Sequence, residues 1–132
     1  MSRLCLDTSA YSHFRRGERR VVELIDEALW VGLPAIVLGE LRTGFALGRQ
    51  RAANERSLQA FMSHPVVEVL EVDDAASKIY AELVLELRRA GTPLPTNDIW
   101  IAAVAAREGA TVVSFDAHFS RIRRIGLTLL ER

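Results

Sequence analysis

The chain has 132 residues, which is enough for one domain with an apolar core and leaves little room for a second. Apolar residues make up 49 % of it and charged residues 26 %, as is typical of a soluble globular protein. The 17 basic and 17 acidic side chains cancel, which excludes a globally basic nucleic-acid clamp but not a local basic patch.

Cysteine content and hydropathy limit the chain further. A single cysteine, Cys5, excludes a disulfide framework within the chain and a zinc site built from several thiolates. The first residues lack the pattern of a signal peptide, and the longest strongly apolar stretch, Ile99–Ala106, is far too short to cross a membrane. We therefore expect a soluble, cytoplasmic protein with Cys5 in its core.

Short β-like runs alternate with helical patterns along the chain, which predicts the α/β class with a mostly parallel five-stranded sheet. The predicted strands are Arg3–Leu6, Ala35–Leu38, Val66–Leu70, Thr111–Ser114 and Leu127–Leu130. The predicted helices are Glu18–Trp30, Gly39–Gly48, Gln50–Met62 and Asp73–Ala90. No linker interrupts these elements, so residues 1–132 are interpreted as a single domain.

One further helix has an unusual pattern. The segment Ile99–Ala106 is apolar on every side, which predicts a central, buried helix, yet it begins with Thr96-Asn97-Asp98. A helix that leads into a parallel strand runs antiparallel to the sheet. Asp98 is therefore expected at the edge of the sheet where the strands end.

Three other acidic residues are predicted at the same edge. Asp7 ends the first predicted strand, Glu40 follows the second, and Asp116 comes just after the fourth. The carboxyl ends of parallel strands meet at one edge, and open α/β sheets bind ligands there. The predicted topology therefore brings Asp7, Glu40, Asp98 and Asp116 together.

Each acid also has a simpler interpretation. Asp7, Asp98 and Asp116 precede helical segments, where Asp is a favoured capping residue, and Glu40 fits a solvated helix face. As a group, however, four mutually repelling carboxylates would cost stability without a cation. Oxygen ligands favour Mg²⁺ or Mn²⁺, and such a site is suited to the attack of metal-activated water on a phosphodiester.

Other candidate sites are weaker. The three histidines lack chelating spacing. His118, two residues after Asp116, is close enough to reach a substrate, but it is interpreted as a surface residue. Trp30 and Trp100 fall on apolar helical patterns and are assigned to the core. Arginines after the first strand and in the second predicted helix are candidate contacts for a nucleic-acid backbone, although acidic neighbours dilute them. They are Arg15, Arg16, Arg19, Arg20 and Arg42.

Four motifs, in this order and at this spacing, resemble the PIN domain and specifically the VapC toxins of VapBC toxin–antitoxin pairs. The motifs are Leu6-Asp7-Thr8-Ser9, Leu38-Gly39-Glu40-Leu41, Asn97-Asp98-Ile99-Trp100-Ile101-Ala102-Ala103 and Ser114-Phe115-Asp116-Ala117-His118-Phe119. The resemblance covers nearly the whole chain. It implies a three-layer α/β/α fold and an endoribonuclease that depends on Mg²⁺ or Mn²⁺.

The resemblance also implies roles for individual residues. Asp7, Glu40, Asp98 and Asp116 match the family's acidic quartet, with Asp7 and Asp98 at its principal metal positions. Supporting polar positions are matched by Thr8, Ser9 and Asn97, and by Ser114 where the family often has Thr. The implied partners are RNA, a second copy of the chain, and a small VapB-like antitoxin whose C-terminal segment crosses the Asp7–Asp98 site.

Two other classes of function remain open at this point. A PIN-like module that binds RNA or protein without cutting it would not need four acids at one edge. A phosphoacceptor receiver domain also clusters acids at a sheet edge, but it needs a Lys near the end of a late strand. The only lysine here, Lys78, falls inside a predicted helix.

Overall fold

The computed structural model describes residues 2–131, in which five strands alternate with six α-helices. The strands are β1 (Arg3–Leu6), β2 (Trp30–Pro34), β3 (Val67–Leu70), β4 (Thr111–Ser114) and β5 (Gly126–Leu129). The helices are α1 (Thr8–Arg15), α2 (Arg19–Glu27), α3 (Ala35–Leu47), α4 (Arg51–Met62), α5 (Asp74–Ala90) and α6 (Thr96–Glu108). A short 3₁₀-helix, Ala117–Arg121, follows β4.

All five strands are parallel, in the order β3-β2-β1-β4-β5. The predicted α/β class with a parallel five-stranded sheet is therefore confirmed. Right-handed crossovers place α1–α4 on one face and α5 and α6 on the other. Contacts among α1, α2 and α3, between α3 and α4, and between α5 and α6 agree with these two layers.

The core lies between the sheet and its helices. The central strand β1 is buried from Leu4 to Leu6, and Cys5 has no exposed surface, as expected for a structural thiol. The apolar helix α6 is buried along Ile101–Ala105, which confirms its predicted central position. Its small side chains let the helix approach the strands closely and fix the position of its first turn.

The second strand differs from the prediction. Ala35–Leu38 was predicted as a strand, but these residues form the first turn of α3, and β2 is the preceding segment Trp30–Pro34. Pro34, with φ −61°, ends the strand and begins the helix. Val37 and Leu38 then bury their side chains from the helix.

The shift of the second strand also corrects the predicted end of the preceding helix and the predicted placement of Trp30 in a helix. The predicted helix Glu18–Trp30 ends at Glu27, so Trp30 belongs to a strand. Its indole Nε1 donates to Glu68 at 2.8 Å, and Arg3 lies over the ring at 4.2 Å from the centroid. Trp100, in contrast, lies in a helix and stacks on Tyr80.

The helical pair α3–α4 buries most of its apolar residues. Leu41 and Leu58 are buried, and Phe45, Phe61 and Met62 pack partly against the core, whereas Leu47 is 85 % exposed. Ordinary core packing therefore accounts for most of the apolar surface that this pair carries. Among residues 2–131, no helix has the length and apolar character needed to span a membrane.

Candidate active site

The candidate site lies where the strand order reverses. From β1 the chain proceeds through β2 to β3 on one side, and later through β4 to β5 on the other. Asp7 directly follows β1, and its backbone N–H donates to Val113 of the neighbouring β4 at 3.3 Å. Asp116 lies just beyond the end of β4. In open α/β sheets this reversal opens a crevice at the carboxyl edge.

Asp7 is the most deeply buried acid of the site, with 5 % of its surface exposed. It is the N-cap of α1, and its Oδ1 accepts hydrogen bonds from the Ala10 amide at 2.8 Å and from Ser9 Oγ at 2.7 Å. Its Oδ2 accepts a hydrogen bond from Ser114 Oγ at 2.5 Å. The capping interpretation is therefore correct, and it fixes the carboxylate in the crevice.

Two serine hydroxyls join the ends of β1 and β4. Ser114 Oγ, which donates to Asp7, also accepts a hydrogen bond from the Asp116 amide at 2.8 Å. Ser9 Oγ donates to Asp7 and accepts a hydrogen bond from the Phe115 amide at 3.0 Å. These bonds set the position of Asp116 relative to Asp7. Asp116 in turn caps the 3₁₀-helix.

Among residues 2–131, Asp98, Asp116 and His118 form a group of donors that could hold a metal ion. Each offers one ligand atom, and these atoms all lie within 4.8 Å of one another. His118 Nδ1 is 3.1 Å from Asp116 Oδ1 and 3.4 Å from Asp98 Oδ2. Asp98 lies in the first turn of α6, at the edge expected from the antiparallel direction of that helix.

Glu40 reaches the site by a different route from the predicted one. It does not follow a strand but lies in the second turn of α3, which begins at the carboxyl end of β2. Thr8 Oγ1 donates to Glu40 Oε1 at 2.7 Å and holds it beside α1. The expected location is therefore observed, although the local structure behind the expectation was wrong.

The four acids line one cleft of ≈ 370 Å³. Its other lining residues are Thr8, Ser9, Ser12, His13, Arg16 and Ile101. Asn97 is exposed and does not line the cleft. A larger hollow of ≈ 520 Å³, between the end of α5 and the 3₁₀-helix, contains only one carboxylate, Glu86. The smaller cleft is identified as the candidate site by its four carboxylates rather than by its volume.

Among the candidate arginines, only Arg16 lines the cleft. Arg15 donates a hydrogen bond to Ser57, and Arg42 forms a bidentate ion pair with Glu55. The other two pair with neighbouring glutamates: Arg19 with Glu23 and Arg20 with Glu18. Arg16 is therefore the arginine best placed to meet an anion at the acidic site.

Burial raises the pKa of two of the acids above the ordinary value of 3.8. In Asp7, hydrogen bonds from Ser114, Ala10 and Ser9 oppose the effect of burial, and the charge of Asp116 adds to it. In Asp98, the charge of Asp116 also adds to burial, while His118 opposes both. Without a cation, burial and neighbouring negative charge therefore make the ionised form of both carboxyl groups less favourable than it is in water.

We predict that Asp98→Asn raises the melting temperature of the metal-free protein by a few degrees at neutral pH. The pKa of Asp98 is higher in the folded chain than in the unfolded chain, so the folded chain binds more protons between these two pKa values. The free energy of unfolding therefore falls as the pH rises from the lower value to the higher. Thermal unfolding in EDTA at several pH values tests this. The difference in melting temperature between Asp98→Asn and the wild type should disappear below pH 3.8, the ordinary pKa of an Asp carboxyl group.

Asp74→Asn is the matched control, because Asp74 lies in the first turn of α5 as Asp98 does in α6. Asp74 pairs with Lys78 on the surface, away from the other acids. Its replacement should bring no gain in stability. An equal gain in both variants would show that repulsion within the cleft is not the cause.

Sequence reasoning did not assign two histidines to the site: His13, which lines the cleft, and His118, which lies against two of its acids. His118 was interpreted as a surface residue, but its ring contacts Asp98 and Asp116. His13 Nδ1 lies 2.8 Å from the Ser9 carbonyl oxygen, and its ring stacks on Phe115 at 3.8 Å. The available signal for His118 was its position two residues after Asp116, because a tight capped turn keeps such residues close.

Comparison with known proteins adds to this geometry. The family model described as PIN domain matches residues 4–125. The chain is 32 % identical over 120 residues to ribonuclease VapC5 of Mycobacterium tuberculosis, covering 89 % of this chain and 85 % of that protein. It is 30 % identical to toxin FitB of Neisseria gonorrhoeae over 121 residues, or 86 % and 87 % of the two chains.

The fold is also similar to that of a solved complex. The structure of DNA-bound VapBC from Salmonella typhimurium matches with a TM-score of 0.85 and 27 % identity. The match covers 97 % of this chain and 98 % of the other.

Proposed function

This chain belongs to the PIN-domain family, and we propose that it is a metal-dependent endoribonuclease that acts as the toxin of a toxin–antitoxin pair. The observation that carries the proposal is the convergence of Asp7, Glu40, Asp98 and Asp116 in one cleft at the switch point of the sheet. Relatives that span most of the chain are named ribonuclease and toxin.

The donors fit a divalent cation, Mg²⁺ or Mn²⁺. Asp98 and Asp116 present carboxylate oxygens close together, and Asp7 and Glu40 add negative charge around them. The raised pKa of Asp98 has the charge of Asp116 among its causes, which is the repulsion that a cation would relieve. When bound, the ion lowers the pKa of water and offsets the negative charge of a phosphate.

The protein's own residues would align the substrate with this site. The two serine hydroxyls lock the Asp7 carboxylate, and Thr8 holds Glu40, so neither acid needs to reorganise when RNA binds. Arg16, at the rim of the cleft, would pair with a phosphate oxygen. Because the net charge is zero, local shape and this single arginine, rather than an overall field, would position the strand.

The proposed partners are a second copy of the chain and a small antitoxin. An Arg or Lys from an antitoxin segment would displace the cation by pairing with Asp7 and Asp98. Leu47, exposed at the end of α3, offers apolar surface for such a partner. The solved VapBC complex supports a paired toxin and antitoxin in this family.

Co-expression with the product of the neighbouring gene tests this role. We expect the chain alone to be a dimer by light scattering, to stop growth of a bacterial host, and to cut structured RNA. The partner should bind, suppress cleavage and restore growth. RNA binding without cleavage would instead favour the non-cutting module, a strict monomer would refute the dimer, and failure of the partner to bind would refute the antitoxin.

A further inference from the structure

The imidazole of His118 contacts the carboxylates of Asp98 and Asp116, which line the cleft. Its Nδ1 lies 3.1 Å from Asp116 Oδ1 and 3.4 Å from Asp98 Oδ2, and the ring is partly exposed. Ligands that lie at right angles around an octahedral ion, each about 2.1 Å from it, are about 3 Å apart. His118 Nδ1 is thus spaced from each carboxylate oxygen as a neighbouring ligand of one ion would be, and one donor atom from each of the three residues lies within 4.8 Å of the others.

The local fold builds this placement of His118. Asp116 Oδ1 accepts a hydrogen bond from the His118 amide at 2.9 Å, which begins the 3₁₀-helix and keeps residue 118 next to the carboxylate. Phe119 follows with a completely buried side chain and anchors the turn. His118 is therefore held beside Asp116 by contacts before and after it.

We propose that His118 is a nitrogen ligand of the divalent ion, beside Asp98 and Asp116, and that it makes the site prefer Mn²⁺ to Mg²⁺. This inference rests on the proposed function, because it concerns the same metal site. Imidazole binds the divalent transition-metal ions, most weakly Mn²⁺ at the start of the first-row series, whereas Mg²⁺ keeps to oxygen ligands. A site of two carboxylates and one imidazole therefore gains more affinity for Mn²⁺ than for Mg²⁺ from the nitrogen donor.

His13, which lines the cleft, is less suited than His118 to be a metal ligand. His13 Nδ1 lies within hydrogen-bond distance of the Ser9 carbonyl oxygen, and its ring is stacked on Phe115. The donor group of Asp98 and Asp116 includes His118 but not His13. The two histidines thus make a matched pair for substitution.

Pulsed electron paramagnetic resonance of the Mn²⁺-loaded protein tests the ligand directly, because it detects nitrogen bonded to the ion. The wild type and His13→Asn should show nitrogen coupling, and His118→Asn should lose it. The wild-type spectrum is informative even if a variant fails to fold. Coupling that is absent from the wild type, persists in His118→Asn, or disappears in His13→Asn overturns the proposal.

Calorimetric titration with Mn²⁺ and Mg²⁺ tests the preference. His118→Asn, which offers an amide oxygen in place of the ring nitrogen, should weaken Mn²⁺ binding by about tenfold or more and Mg²⁺ binding by less than about threefold. Equal losses for both ions would refute the preference. His64→Ala, on an exposed histidine outside the cleft, should leave both affinities unchanged.

These outcomes separate the inference from the proposed function. If the Mn²⁺-loaded protein shows nitrogen coupling but does not cut RNA, the proposed ribonuclease activity is refuted. The assignment of His118 as a ligand is then still supported. A protein that cuts RNA with Mn²⁺ but shows no nitrogen coupling overturns only the ligand. Failure to bind Mn²⁺ overturns the ligand, and failure to bind either Mn²⁺ or Mg²⁺ overturns both.

Discussion

Replacing Asp98 with Asn is expected to reduce RNA cleavage by at least about 100-fold, because loss of even an outer partner of a metal ligand costs up to that much. Asn keeps the size of the side chain and removes the charge that faces Asp116 and His118. The helix should survive, since Asp98 is in its first turn and accepts no capping bond there. Single-turnover cleavage of a structured RNA measures the loss.

Asp7→Asn should have an effect of similar size for the same reason. An Asn oxygen can still accept the hydrogen bond from the Ala10 amide that caps α1. The removed charge would no longer face the cation, and one amide hydrogen would point towards the hydroxyls that now donate to Asp7. Circular dichroism should show an unchanged content of helix.

The chain contains a matched control for each variant. Asp73 is the N-cap of α5 and accepts a hydrogen bond from Ala76, as Asp7 does from Ala10, and Asp74 occupies the first turn of α5. Asp73→Asn and Asp74→Asn should cleave RNA like the wild type. Full activity of Asp7→Asn or Asp98→Asn would show that these acids only cap helices.

A divalent cation is expected to raise the melting temperature of the wild type. An ion that binds only the folded state stabilises it by about 2.7 kcal/mol at a hundredfold excess over Kd, or roughly 10 °C for a chain of this size. Part of this binding energy would come from cancelling the repulsion that helps to raise the pKa of Asp98. Thermal unfolding across millimolar metal measures the shift.

The same titration on variants locates the effect. Asp98→Asn should start from a higher melting temperature in EDTA and gain much less from metal, whereas Asp74→Asn should respond like the wild type. A melting curve that does not move with metal in the wild type would argue that the carboxylates are dispersed caps without a shared ion.

The sheet and the acidic edge could be predicted because they depend on topology more than on exact boundaries. Parallel strands bring their carboxyl ends together, and Asp7 and Asp116 follow β1 and β4 directly. Asp98 was placed by the antiparallel direction of α6. Errors of one residue at the start of β3 or β5 leave these relations unchanged.

The second strand could not be predicted from local pattern. Trp30–Pro34 contains Gly32 and Pro34, which normally argue against a strand, while Ala35–Leu38 has the apolar run of a buried strand. In the structure, Gly32 is required because a Cβ there would lie 2.5 Å from the Trp30 ring. This close approach depends on how the Trp30 ring lies along its own strand and on Leu70 of the neighbouring β3, and no sequence pattern reveals it.

His118 was missed for a related reason. Its spacing from Asp98, 20 residues earlier, carries no periodic signal, and a lone histidine in a polar turn is usually a surface residue. The capping bond from the His118 amide to Asp116 and the buried Phe119 side chain place the ring beside Asp116 and Asp98. The side-chain direction of a short 3₁₀-helix depends on such tertiary detail.

The central claim is that the four acids hold a divalent ion with which the chain cuts RNA. The most direct measurement is cleavage of a structured RNA by the purified chain with Mn²⁺ or Mg²⁺, in excess EDTA, and after metal is restored in excess over the chelator. The account predicts cleavage with metal, none in EDTA, and recovery on restoration. Full cleavage in EDTA, or no cleavage with either ion, would contradict it.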